Sequence, residues 1–236
     1  MKKLHVAVLC SAMVSGVAMA QESGTNWKKE AELGYVATSG NTDTQSLSAK
    51  AKAEAEVTKW RHKAGIGMLQ TEDETSTIAE KYNAYGQTNY KFTEAQYAWA
   101  ALAYENDKFS GFEYQTTGAV GYGIRVINEK AMTLDFEAGP GARQTKVVNN
   151  STEIEGVFRV AGNFQWDVSE SAHFSQELTS EIGEDVTISK SVTGLTSQVN
   201  GSLSMKLTYT VKNTSDVPVG IEETDTETAV TLVYSF

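Results

Sequence analysis

His173 and Ser175, two residues apart, are the nearest this chain comes to a nucleophile beside a general base. In an extended strand they share a face with Glu177 and Glu181, while Phe174 and Leu178 take the other. Those are the surroundings of an ordinary histidine on a polar wall. His62, beside Trp60, reads as an interfacial residue at a turn. Two histidines on distant segments, with no cysteine after Cys10, argue against a transition-metal site. The acidic runs Glu72-Asp73-Glu74, Glu184-Asp185 and Glu222-Glu223 with Asp225 could gather divalent cations, or bridge through them to lipopolysaccharide phosphates. None has the spacing of a calcium loop, and solvated loop charge is the plainer reading. The expectation is a protein that is not an enzyme and has no metal and no cofactor.

A larger set of charges recurs at alternate positions. Lys50, Lys52, Arg61, Lys63, Lys81, Arg125, Arg143 and Arg159 share the polar parity of their segments with Glu32, Glu54, Glu113, Asp135, Glu137, Glu153, Glu155, Glu177 and Glu181. Bases concentrate on the second to fourth segments, acids on the seventh to ninth. Turned into a closed cylinder, opposed charge would set up a transverse field selecting small polar or zwitterionic solutes. The same charges could instead pair and plug the lumen. Both outcomes are open on the sequence.

These charges must be positioned by strands. Residues 1–20 read as a cleaved signal peptide: Lys2 and Lys3, an apolar run from Leu4 to Val14, then Ala18-Met19-Ala20. Residues 21–236 form one domain with 18 basic against 30 acidic residues, a balance that argues against nucleic acid as a partner. No later stretch has the roughly 18 consecutive apolar residues of a membrane helix. Only Pro140 and Pro218 occur, which suits ladders that use nearly every N–H.

Period two dominates. Residues 45–57 carry good helix formers, yet Leu47, Ala49, Ala51, Ala53, Ala55 and Val57 keep one parity while Lys50, Lys52, Glu54 and Glu56 keep the other. The pattern recurs to give twelve strands, an even count as in bacterial single-chain barrels. The fifth, from Gln96, is ambiguous; grouping Ala98, Ala100, Leu102 and Tyr104 leaves Trp99 on the polar side. The tenth, near 190–199, is weak in either register. Connections alternate between short and longer, placing both termini at the periplasmic end, with Tyr90, Phe92, Trp166, Phe174, Tyr234 and Phe236 at that rim. Tyr35, Tyr82, Phe112, Tyr114 and Phe158 fall at the other.

The apolar parity class contains almost no charge, Lys29 and Glu80 being exceptions near strand ends. Lipid enforces such purity at about 2–4 kcal/mol per mid-bilayer Lys or Arg. Alanine-built faces suit lipid chains better than the wide interior of a soluble barrel. The expected architecture is therefore an all-β, transmembrane, antiparallel up-and-down barrel in the outer membrane of a Gram-negative envelope, monomeric and surrounded by lipid and lipopolysaccharide.

Gly34-Tyr35 with Thr38-Ser39-Gly40-Asn41-Thr42-Asp43-Thr44 resembles the opening of the salt-induced outer-membrane proteins, domain-of-unknown-function family 481. Tyr104 to Gly111 is similar to that family's central loop, and Gly121-Tyr122-Gly123 and Asp225 to Phe236 fit as well. The resemblance covers essentially the whole chain after residue 20. It implies an outer-membrane barrel associated with salt response and no established chemistry. The last strand, with Val230, Leu232, Tyr234 and the terminal Phe236 on one face, also resembles the closing strand of outer-membrane barrels, which implies recognition by the barrel assembly machinery. Outer-membrane phospholipases likewise carry His and Ser two apart, but facing lipid and followed by Ser-Asn-Gly, whereas Ser175 precedes Gln176 and Glu177. A narrow porin-like channel for small polar solutes is the leading expectation, a non-conducting envelope barrel the alternative, and a lipid hydrolase a distant third.

Overall fold

A computed structural model describes residues 26–38, 44–73, 76–108, 112–147, 152–217 and 222–236. The proposed signal peptide, Cys10, the turn 39–43 and the tip 109–111 of the central loop lie outside them. The strands are β1 (Asn26–Thr38), β2 (Thr44–Val57), β3 (Trp60–Asp73), β4 (Thr77–Lys91), β5 (Gln96–Asp107) and β6 (Phe112–Asn128). They continue as β7 (Met132–Val147), β8 (Thr152–Ser169), β9 (Ala172–Gly183), β10 (Thr187–Gln198), β11 (Leu203–Thr214) and β12 (Thr224–Ser235). Each pairs antiparallel with its sequence neighbours, and β1 pairs with β12 to close the barrel. The alanine-rich segment is a strand throughout. Period-two burial of one face outweighs its helix propensity, which is worth only tenths of a kcal/mol per residue.

The barrel is apolar outside and charged inside. Leu33, Ile66, Leu102, Val120, Phe136, Leu178, Leu207 and Leu232 are exposed on the exterior, while Glu32, Arg61, Asp135 and Arg143 are buried within. The ambiguous β5 takes the register that turns Leu102 and Tyr104 outward and Tyr97 and Trp99 into the lumen. For β10, pairing to β9 and β11 settles what its own residues left open: Leu195 faces out opposite Phe174 and Leu207, and Lys190 faces in.

One end carries the short turns at 58–59, 92–95, 129–131, 170–171 and 199–202. Thr58 supplies a positive φ of 47° in the first of them. Asn200 and Gly201 occupy the middle of the last, where the Asn200 side-chain oxygen accepts from the Ser202 and Leu203 amides. Around this end Trp60 stacks on His62, and Trp60, Tyr90, Phe92 and Tyr122 follow one another at 4.9–6.5 Å between centroids. Phe164–Phe174 and Tyr234–Phe236 contacts extend the girdle. Tyr104 and Tyr114 stack towards the opposite end.

Besides bulges at Thr71/Glu72, Glu105/Asp107, Phe112/Tyr114, Arg125/Ile127 and Asp167/Ser169, two places depart further from a regular ladder. Between β6 and β7 the pairing passes from Ala119–Gly141 to Tyr122–Ala138, leaving out the residues around Pro140, which has no N–H to give. The backbones press together there, and a Cβ on Gly139 would stand 2.0 Å from the Val120 carbonyl oxygen. At the seam, β1 and β12 share only four paired positions, Glu30–Ser235 to Leu33–Leu232, extended by the Phe236 amide donating to the Lys29 carbonyl.

Candidate functional site in the barrel lumen

The lumen has two unlike halves. The half formed by β5 to β9 with the lower part of β3 is filled. Its device is an aromatic residue laid over the glycine that pairs with it on the next strand. Tyr97 lies over Gly123 and Trp99 over Gly121, where an added Cβ would come within 2.3 and 2.6 Å of ring carbons. Glycine leaves room for the ring, and the ring covers the glycine backbone.

Charge then packs on these rings. The Arg159 guanidinium sits 4.8 Å from the Trp99 ring centre and pairs with Glu137 at 3.0 Å. Glu137 also accepts from the Tyr97 hydroxyl at 3.1 Å and from Gln87 at 2.8 Å. Trp99 is left 3% exposed and Tyr97 4%. Below them Asp135 takes both Arg125 donors, at 2.6 and 2.8 Å, with Arg61 at 3.7 Å. Above, Arg143 is 1% exposed; it donates to Glu155 at 2.5 Å and to the Val186 carbonyl, with Glu181 at 3.6 Å. Thr117 donates to Glu181 at 3.0 Å, across from β6 to β9. All four arginines of the chain lie here, each against a carboxylate. Planar forked donors satisfy two acceptors at once and lose little hydration when buried, so they suit a packed wall.

The other half, β1 to β4 with β9 to β12, carries lysines. Glu32, nearly fully buried, holds Lys206 at 2.9 Å and Lys52 at 3.3 Å. Glu105 holds Lys212 at 2.5 Å and Lys81 at 3.5 Å. Since β5 and β11 stand opposite one another in the ring, the Glu105–Lys212 bond spans the bore. Lys50 approaches Glu227 at 3.9 Å. Yet Tyr85, Glu177 and Lys190 face inward and remain exposed, and Lys52 is only half-buried. Exposure on the inside of a closed barrel means space for water.

The remaining charges noted from the sequence take other positions. Lys63 pairs in register with Glu54 and Gln87, half-buried on the lumen wall. Glu113 sits in the bulge between Phe112 and Tyr114 and reaches Lys146 at 2.5 Å at the rim. Glu153 is exposed near the start of β8. The charges do not stand apart across the lumen as a segregated field would require. Most pair with an adjacent or nearby strand, because hairpin neighbours reach one another first. Both His173 ring nitrogens face acceptor oxygens at 2.7 Å, Nδ1 the Asp167 carboxylate and Nε2 the Gln165 amide oxygen, and neither faces Ser175. Tyr85, Tyr97, Lys190 and Lys212 went unnoticed in the sequence. The signal available was glycine on the polar parity of one strand facing an aromatic on the polar parity of the next.

A closed barrel with an apolar exterior and an ionised interior satisfies its backbone internally and meets hydrocarbon with its side chains; such a protein resides in the outer membrane. Solved barrels share the fold. The NanC porin superposes with a TM-score of 0.53 at 11% identity, covering 88% of this chain and 98% of that one. The COG4313 outer membrane channel from Pseudomonas putida F1 gives 0.51 at 7% identity, over 94% and 98%. A curated relative, the uncharacterized protein YdiY of Escherichia coli strain K12, is 29% identical over 205 residues, 86% of this chain and 80% of its own. The profile of the protein family of unknown function DUF481 matches residues 31–236, and the chain belongs to that family.

Proposed function

We propose that the protein is a narrow outer-membrane channel for small polar solutes, serving the cell when external salt or osmotic pressure changes. One observation carries this reading: Lys52, Tyr85, Glu177 and Lys190 keep water-exposed surface inside the closed barrel, although the opposite half is packed. The porin and channel likeness supports it at the level of fold. The short-turn end with its dense aromatic girdle faces the periplasm, β12 with Val230, Leu232, Tyr234 and Phe236 outward engages the assembly machinery, and the barrel works as a monomer in lipid and lipopolysaccharide. The salt link follows from the resemblance to salt-induced relatives.

Purified protein in planar bilayers should give small, discrete current steps, altered by Lys190→Glu or Lys52→Glu. A deletion strain should recover more slowly after a salt upshift. Silence at every salt concentration would favour the second reading, a non-conducting envelope barrel, which the Glu105–Lys212 bond across the bore favours.

A further inference from the structure

Among the described residues, three aromatic side chains on the lumen wall each lie over the glycine opposite: Tyr97 on Gly123, Trp99 on Gly121 and Tyr85 on Gly65. For the first two the inward side is covered by protein, namely Arg159 on Trp99 and Glu137 on the Tyr97 hydroxyl. Tyr85 has the same seating; a Cβ at Gly65 would be 2.4 Å from its Cε1 and 2.9 Å from its hydroxyl. Yet the ring is 42% exposed inside the barrel. It is the member of the set whose lumen side the protein leaves open.

Its surroundings define what would cover it. Lys52 pairs in register with Gly65, the glycine beneath the Tyr85 ring, and reaches Glu32 at 3.3 Å, while Glu54 follows it on the same face of β2. Glu32 is buried beneath Lys52 and Lys206, two ammonium groups on one carboxylate, so that wall carries one positive charge in excess, while Glu54 pairs in register with Lys63. Glu177, from the opposite wall, stands exposed. We infer that Tyr85 is the platform of a binding subsite for a sugar ring bearing a carboxylate. The apolar C–H face of the pyranose stacks on the phenol, the carboxylate meets Lys52 and Lys206, and ring hydroxyls donate to Glu177. A carboxylate without a ring would leave the phenol bare, and a neutral sugar would leave Lys52 and Lys206 sharing the single Glu32 carboxylate.

This names the solute for the proposed channel and rests on that reading only for access to the lumen. Binding and conduction are therefore measured separately on the full chain. Calorimetric titration of the detergent-solubilised barrel with glucuronate, glucose and benzoate tests binding, with heat-modifiable migration confirming that each variant is closed. Glucuronate should bind in preference to the other two. Tyr85→Ala should weaken it about tenfold, in line with the worth of an aromatic stack; Gly65→Ala, which displaces the ring, and Lys52→Gln should each weaken it severalfold, and Tyr85→Phe should retain most of it. Glucuronate binding unchanged in Tyr85→Ala, stronger binding of benzoate, or no binding of any probe overturns the subsite. Current steps without glucuronate binding would leave the channel and remove this inference; binding without current would do the reverse.

Discussion

The two halves of the lumen solve one problem, ionised groups inside a barrel, in opposite ways. On β5 to β9, arginines lie flat on aromatic rings and share carboxylates, until Arg143 and Trp99 have almost no contact with solvent. On β1 to β4 and β9 to β12, lysines gather around Glu32 and Glu105, where Lys212 is buried but Lys52 and the neighbouring Lys190 keep part of their surface wet. The choice of cation follows hydration. A guanidinium is weakly hydrated and planar and tolerates a dry stack, whereas an ammonium is a compact, strongly hydrated charge that holds water beside it. One wall is built for rigidity and the other for exchange with solvent.

Perturbing each half should separate them. The largest effect is expected for Arg143→Ala, which strands Glu155 and Glu181 without their cation. Breaking a buried pair from one side costs about 3–5 kcal/mol, readable as a shifted urea midpoint in vesicles. Next comes Gly139→Ala, whose new methyl meets the Val120 carbonyl; overpacking against backbone costs about 1–3 kcal/mol. Gly86→Ala, with nothing within 4 Å of the added carbon, should leave the midpoint unchanged. Removing the guanidinium from its ring by Arg159→Gln should cost roughly 2 kcal/mol and raise the accessibility of Trp99 to aqueous quenchers. Smallest is Lys190→Gln in the wet half, expected within about 1 kcal/mol of the parent, while it alters the current through the barrel. Should Lys190→Gln destabilise as much as Arg143→Ala, the distinction between the halves would collapse.

Most of the barrel was legible because lipid imposes a strict rule on every second residue. Leu47 to Val57 declared a strand against its own helix propensity, and the faces of β6, β7 and β8 were unambiguous. The lumen was less legible because water and ion pairs impose no such parity contrast. Lys190 had no readable register until β9 and β11 fixed it. Trp99 was assigned to the polar side by elimination, but nothing local announced a guanidinium above it, since Arg159 arrives from three strands away. Partner choice failed for the same reason. Alternation says which way a side chain points and not how far it must reach, so Arg125 to Asp135 and Lys212 to Glu105 look alike in the sequence. One is a hairpin contact and the other crosses the bore.

The four-pair seam between β1 and β12 has a consequence for how the cylinder comes into being. Glu30 meets Ser235, so no ring exists until almost the whole polypeptide is on hand, and every earlier intermediate is an open sheet with two bare edges. Bringing such remote ends together costs only about 3–4 kcal/mol more than closing a short hairpin, because loop entropy grows logarithmically. A latch of four residue pairs is therefore enough to hold shut a wall that eleven longer junctions have already shaped.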